Sequence, residues 1–313
     1  LGAVAVSGKL YEARWNLALV QLATGAYEEG WSNYRYRPSA NRLRHILPEA
    51  ILPSSLFGHR IVLEGEQGVG DELFFLRFVP ALMARGAVVS YVGDDRLSGI
   101  AARALPPLND PAGSGHPDAG ISIADLPYLL GSSEVPESLR LLPLEAHLAS
   151  VRLSLQSIGP PPYTGFTYRA GLQGEGALHK EVPLAELVSL LREVPGTLIN
   201  LQRGQNMKGQ HDLGESLHGR ALGTVGDDTD LESMLAVMAC LDEYIGVSNT
   251  NMHLRAAVGK SGRVLVPHPA DYKWMAAGQS PWFPAFKVYR QSVDGGWGTA
   301  FASLLSDLSK TNG

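Results

Sequence analysis

Apolar and polar positions follow two different periods along this chain. Between residues 9 and 37, "NLALVQLATGAYEEGWSNYRYR" places Leu17 and Leu22, then Tyr27, Trp31 and Tyr34, at helical intervals on either side of Gly25. Two short antiparallel helices are predicted there. After a proline-marked linker over 38–56, strand patterns alternate with helical ones. "HRIVLEG" predicts a strand, and "EGEQGVGDELFFLRFVPAL" a turn with two glycines and then a helix from Asp71 to about Arg85. Pro80 falls inside that helix and predicts a kink or a restart. "AVVSYVGD" and "AGISIADLPYLLG" read as two further strands, the second followed by a short turn, and "LPPLNDPAGSGHPDAG" as a loop.

A second series begins near Tyr163. "YTGFTYRAG", "GTLINLQRG", "DEYIGVSN" and "RVLVPHP" read as strands, separated by helices in "LAELVSLLREV", "DLESMLAVMACL" and "TNMHLRAAVG". Strands separated by helices form parallel sheets from βαβ units. The fold class expected is therefore α/β, with two facing Rossmann-like domains divided near "GPPPY" and preceded by a helical hairpin. The boundaries read as 1–40 for the hairpin, 57–160 and 163–296 for the two α/β domains, and 297–313 for a last helix packing back on the first domain. The order Asn16-Leu17, Gly25, Tyr27, Gly30, Tyr34 resembles a tetratricopeptide repeat. One such repeat cannot bury its own face, so it leans on a neighbour or continues upstream.

Composition narrows the function classes. A net charge of −5 in 313 residues, without a basic block, leaves nucleic acid no electrostatic footprint. Cys240 is the only cysteine, which excludes disulfides within the chain and cysteine-rich zinc sites and points to a reducing, cytoplasmic setting. No apolar run approaches the ~20 residues of a membrane span. The opening lacks an initiator Met, and the expectation is a chain that starts inside a longer protein.

Parallel α/β sheets bind ligands at the carboxyl ends of their strands. The loop with Gln67, Gly68 and Gly70 lacks the third glycine of a dinucleotide fingerprint and the Lys-Ser/Thr of a phosphate loop. Asp71 follows directly, and a carboxylate at a helix N-terminus repels a pyrophosphate there. Asp71 reads equally as a helix cap. Asp94 could serve as the ribose-binding acid of an NAD(P)-dependent oxidoreductase. In the second half, Ser248, Asn249, Thr250 and Asn251 join a strand end to a helix start, with His253 in its first turn. Small polar side chains and free amides there suit a phosphate. Arg169 and Lys180 flank one loop and Arg203 and Lys208 the next, where Gln202 precedes Arg203, and such cations suit a doubly charged leaving group. His211 and His218 lack zinc-ligand spacing. Trp274, Trp282, Phe283 and Tyr289 read as packing, with a sugar-stacking platform the minor alternative.

Together "NLALVQLATGAYEEGW", "LEGEQGVGDELFFLRFVPAL", "TYRAG", "HKEVPL", "INLQRG", "GVSNTNMHLRAAVG" and "SPWFPAFKVYRQ" resemble the tetratricopeptide-linked, heptosyltransferase-like glycosyltransferases of the GT-B fold, more distantly the O-GlcNAc transferase-like proteins. The resemblance implies sugar transfer from a nucleotide-diphosphate donor to a glycan or protein acceptor. It implies no cofactor and no metal, and possible protein partners through the helices. Asp71 would be the acceptor's base, beside Gln67, Gly68 and Gly70. Lys180 and residues 248–253 would hold the phosphates, with Arg169 nearby, and Gln202 and Arg203 the base and ribose. The family usually has Asp-Thr or Asp-Ser where this chain has Ser248-Asn249. A catalytically degenerate scaffold is the alternative to an active enzyme, and the oxidoreductase the second.

Overall fold

The computed structural model of the chain describes residues 2–39, 50–105, 108, 116–170, 180–204, 207–217, 222–226 and 229–311. These divide into two compact units, Leu1–Leu141 with Asp271–Trp282, and Leu142–Ala270 with Phe283–Gly313.

The first unit opens with helices α1 (Gly2–Thr24) and α2 (Tyr27–Tyr34), the first longer than its periodicity predicted. Gly25 turns between them at φ +87°, a left-handed conformation that glycine adopts without strain. Gly30 lies where the helices cross: a Cβ there would stand 2.7 Å from Leu22 Cδ2. The hairpin leans on its neighbours through aromatic rings. Trp31, 1% exposed, lies 5.9–6.2 Å from Phe75, Phe78, Tyr272 and Trp282, mostly edge to face.

Strand β1 (Arg60–Glu64) runs parallel to β2 (Val88–Val92) and β3 (Ala119–Ser122) in the order β2-β1-β3. Ile61, Leu63, Val89, Tyr91 and Ile121 alternate into the core. The predicted 71–85 helix is divided as Pro80 required. Helix α3 (Val69–Phe75) passes into a 3₁₀ turn at Leu76–Phe78, and α4 (Val79–Ala84) restarts with the proline in its first turn, where no N–H is needed. Helix α5 (Asp95–Ala104) follows β2, and after β3 come a 3₁₀ turn and the short α6 (Leu126–Leu129).

The second unit opens with α7 (Glu145–Ile158), earlier than the expected boundary, because Val151 and Leu155 bury one face of it beside α10. Its strands are β4 (Tyr163–Phe166), β7 (Thr197–Asn200), β8 (Leu222–Gly223), β9 (Glu243–Val247), β10 (Gly262–Val266) and β11 (Phe286–Arg290). They form a six-stranded sheet in the order β11-β10-β9-β4-β7-β8, parallel at every pairing. A small antiparallel pair, β5 (Arg169–Ala170) with β6 (Lys180–Glu181), sits after β4. Helices α8 (Leu184–Glu193), α9 (Met207–Ser216), α10 (Leu231–Cys240) and α11 (Thr250–Ala257) connect the strands. The inner strands β4, β7, β9 and β10 are buried along nearly their whole length, as in "TLIN" and "GRVLV", whereas the edge strand β11 is only partly buried.

Helix α12 (Gly298–Thr311) corrects one expectation. It packs on α8 and β11 of the second unit, not on the first. Ala300, Phe301, Leu304 and Leu308 form its apolar stripe, buried in one cluster with Leu187 and Leu191. The segment that returns to the first unit is Asp271–Trp282.

Candidate functional site

In the first unit the candidate site is the turn after β1. Gln67 there takes a positive φ of 73°, and Gly68 is extended at φ −176° with nothing within 4 Å of where a Cβ would stand. The glycines that packing demands are instead Gly65 and Gly93, whose Cβ positions would fall 2.4 and 2.2 Å from Glu72 Oε2. Glu72, in the first turn of α3, accepts hydrogen bonds from the Tyr91 hydroxyl and, at 3.0 Å, from the Asp94 amide. This helix end thus carries two carboxylates of its own, Asp71 and Glu72, and repels an added phosphate.

Asp71 is not a cap. It sits inside the first turn, and its Oδ1 accepts from Lys273 Nζ at 2.8 Å. Lys273 is 6% exposed and also lies 3.6 Å from Asp271 Oδ1; Asp71 is 34% exposed. Burial lowers the Lys273 pKa, but Asp271 and Asp71 outweigh it, so the ammonium is held above its ordinary range.

Behind the turn, Arg37 donates to both Glu66 oxygens, one at 2.7 Å, to Asp125 at 2.6 Å and to Ser122 at 3.1 Å. Ser39 adds a bond to Glu66 at 2.9 Å. Burial raises the Glu66 pKa, but Arg37, with Ser122 and Gln67, brings it down to about 2. Gln67 donates to the Tyr34 hydroxyl at 3.0 Å, so the second helix of the hairpin and the residues after it hold the turn directly. Asp94 caps α5, and both its oxygens accept from the Arg96 guanidinium at 2.8 and 2.7 Å. That carboxylate is spent on its own helix rather than offered to a ribose.

In the second unit the carboxyl ends of β4, β7 and β9 carry the predicted residues. Tyr244, fully buried on β9, gathers two of the loops, those after β4 and β9. Its hydroxyl is 2.9 Å from Thr167 Oγ1 and donates to Asn249 Oδ1 at 3.3 Å, and Asn249 Nδ2 donates to Thr167 at 2.9 Å. Burial raises the Tyr244 pKa against the opposing bonds of Thr167, Asn249 and Asn251. Asn249 and Asn251 thus brace the strand ends. Asn249 occupies the N-cap position of α11 without capping it by its side chain. Thr250 begins that helix, Ser248 is 4% exposed, and His253 is buried with its ring edge-on to Phe283 at 5.3 Å.

Gln202 is a brace as well: its Oε1 accepts from the Tyr168 and Arg169 amides at 3.0 and 2.8 Å, and its Nε2 donates to the Arg203 carbonyl. Arg169 and Lys180 both belong to the β5–β6 pair but do not face each other: Arg169 stands opposite Glu181 and Lys180 opposite Ala170, so their side chains leave opposite faces of the ribbon. The loop 171–179, His218 and the side chain of His211 lie outside the described residues. Trp274, Trp282, Phe283 and Tyr289 are all buried, so packing is their role. Lys273, Thr167 and Tyr244 were missed by the sequence reading. Tyr244 precedes Ser248 on a recognised strand, a signal within reach, whereas Lys273 has none near Asp71.

Among the described residues no helix is long and apolar enough to cross a membrane, and no three of His, Cys, Asp and Glu gather as a metal site. No family model matches the chain. It is similar to Protein FlbA of Caulobacter vibrioides (strain ATCC 19089 / CIP 103742 / CB 15), 25% identical over 325 aligned residues, covering 93% of this chain and 54% of that protein. The chain therefore spans about half the length of this curated relative. Among solved structures it is similar to the glycosyl transferase family 9 protein from Veillonella parvula DSM 2008, at 13% identity and a TM-score of 0.61, over 82% of this chain and 97% of that one. The ADP-heptose lps heptosyltransferase II of E. coli superposes with a TM-score of 0.54 at 13% identity, over 80% and 98%. At such identity the likeness shows the fold: two domains with parallel sheets, GT-B-like.

Proposed function

We propose that this chain transfers a sugar from a nucleotide-diphosphate donor to a glycan or protein acceptor, without a bound metal. The observation that carries the reading is the second unit's set of strand ends. Lys180 stands there opposite Ala170 in the β5–β6 pair, and the first turn of α11 has no side-chain cap, all beside a braced Thr167–Tyr244–Asn249 cluster. Phosphates on that unit meet cations and helix amides, which neutralise a departing diphosphate in place of a metal. Ser248, Thr250 and His253 line the loop, while Gln202 and Arg203 begin the next one, for the base and ribose. Asp71 in the first unit accepts the acceptor's proton, with Gln67, Gly68 and Gly70 beside it.

Incubation with UDP-, GDP- and ADP-sugars, and with a CMP-sugar as the monophosphate control, followed by phosphorus NMR for the released nucleotide, tests this. One diphosphate donor class is expected to be consumed, and consumption of none contradicts turnover. The inward-turned Asn249 amide favours the second reading, a nucleotide-binding scaffold without turnover. On either reading the hairpin acts as a tetratricopeptide-like unit in the cytoplasm, and its exposed Leu10, Leu17 and Val20 are open to a protein partner.

A further inference from the structure

Lys273 lies on the 3₁₀ turn Tyr272–Trp274, in the segment by which the chain returns to the first unit. Its backbone is fixed on both sides. The Asp271 carboxylate accepts from the Lys273 amide at 3.1 Å, and the Ser280 hydroxyl donates to the Lys273 carbonyl at 2.5 Å. Its ammonium lies over the rings of Tyr272 and Phe74, 4.6 and 5.2 Å from their centroids, where aromatic faces attract a cation. A lysine so placed does not follow a moving carboxylate; the carboxylate is held by it.

Resting on the glycosyl-transfer reading, we infer that Lys273 is the positioning residue of Asp71, and that Asp271 is what allows Asp71 to take up a proton. Lys273 occupies Oδ1 of Asp71, while among the described residues no hydrogen bond reaches Oδ2. Oδ2 is the oxygen left for an acceptor hydroxyl. In transfer, the acceptor oxygen bonds to the anomeric carbon of the donor. The bond from that carbon to the diphosphate oxygen breaks, and the diphosphate leaves with the electron pair. The hydroxyl proton passes to Asp71 Oδ2. The cluster of one ammonium and two carboxylates starts with one negative charge in excess and ends neutral. Without Asp271, the same proton would leave Lys273 as an uncompensated buried cation, a costly state.

The test combines nucleotide titration by calorimetry with initial rates on the donor that the wild-type chain consumes, for Lys273→Met, Asp271→Asn, Asp71→Asn and the double variant Asp71→Asn/Lys273→Met. Lys273→Met is expected to lower kcat on the order of 100-fold, the cost of a misplaced reacting group. Its donor KM and nucleotide Kd should stay within about twofold of the wild type, a split that loss of folding would not give. Asp271→Asn should also lower kcat, and the double variant should be no slower than Asp71→Asn. Unchanged kcat in Lys273→Met, or a further loss in the double variant, overturns the inference while leaving the transferase reading in place. If Lys273→Met fails to fold, the double variant, which loses both charges together, decides by the same comparison. A wild-type chain that binds none of UDP, GDP and ADP, or binds one without turnover, overturns the reading itself and the role of Lys273 with it.

Discussion

The two units organise the polar groups at their strand ends by different physical means. In the first, buried ions do it: Arg37 joins Glu66 and Asp125, and Lys273 joins Asp71 and Asp271. In the second, neutral groups do it at the carboxyl ends, the Thr167–Tyr244–Asn249 cluster and the Gln202 side chain across two backbone amides, while its Arg263–Glu243 ion pair lies at the amino ends of β10 and β9. Its most buried cation among the described residues, Arg255, spends its guanidinium on the carbonyls of Ser261, Met238, Leu241 and Asp242, and burial lowers its pKa to about 10. An ionic cluster fixes geometry strongly and fails badly when one partner goes. A neutral one tolerates loss and adds no charge to compete with a phosphate.

Removing one partner from each kind of cluster separates them most sharply. Arg37→Leu strands Glu66 and Asp125, and is expected to cost ~3–5 kcal/mol in urea unfolding. A loss under ~1 kcal/mol would mean that the cluster contributes little. Acid probes the same pair. The folded Glu66 pKa is about 2, below its ordinary 4.5, so its stabilisation is complete above the ordinary value and lost as pH falls through the folded one. Roughly 3 kcal/mol should disappear from the wild type across that window by thermal melting, and the Glu66→Gln variant should lack this component.

Smaller effects sharpen the contrast. Gly65→Ala, whose Cβ meets the Glu72 carboxylate and the Gly93 backbone, should cost ~1–3 kcal/mol, and Gly68→Ala, with open space around it, under about 0.5 kcal/mol. Equal losses at the two glycines would contradict the turn's geometry. Tyr244→Phe in the neutral cluster should cost only ~1 kcal/mol by denaturant titration.

Much of the fold was legible because period and punctuation agree. The strand "HRIVLEG", the restart at Pro80 and the "TNMHLRAAVG" helix all fall where apolar spacing and glycine or proline signals coincide. Helix α7 was legible but missed: Leu148, Val151, Leu155 and Ile158 keep helical spacing, with His147, Ser150, Arg152 and Ser154 off that line. The placement of α12 was misread because an amphipathic helix says that it packs, not on what. In the second unit, strand ends and small polar residues pointed to the loops after β4, β7 and β9. They did not point to the inward turn of Asn249, since an amide suits a ligand or a brace equally. Lys273 was invisible for a topological reason: "DYKW" reads as a surface charge, and its partner Asp71 stands 202 positions away.

The central claim is that the second unit binds a nucleotide diphosphate, and calorimetric titration with UDP, GDP and ADP, and with the monophosphate CMP as the control expected not to bind, on the wild type and on Lys180→Ala, meets it most directly. Saturable binding of one nucleotide, weakened about tenfold or more by the substitution as for a lost charge-assisted contact, is the result predicted. Heatless titrations with all three diphosphates, or binding that Lys180→Ala leaves untouched, would contradict it.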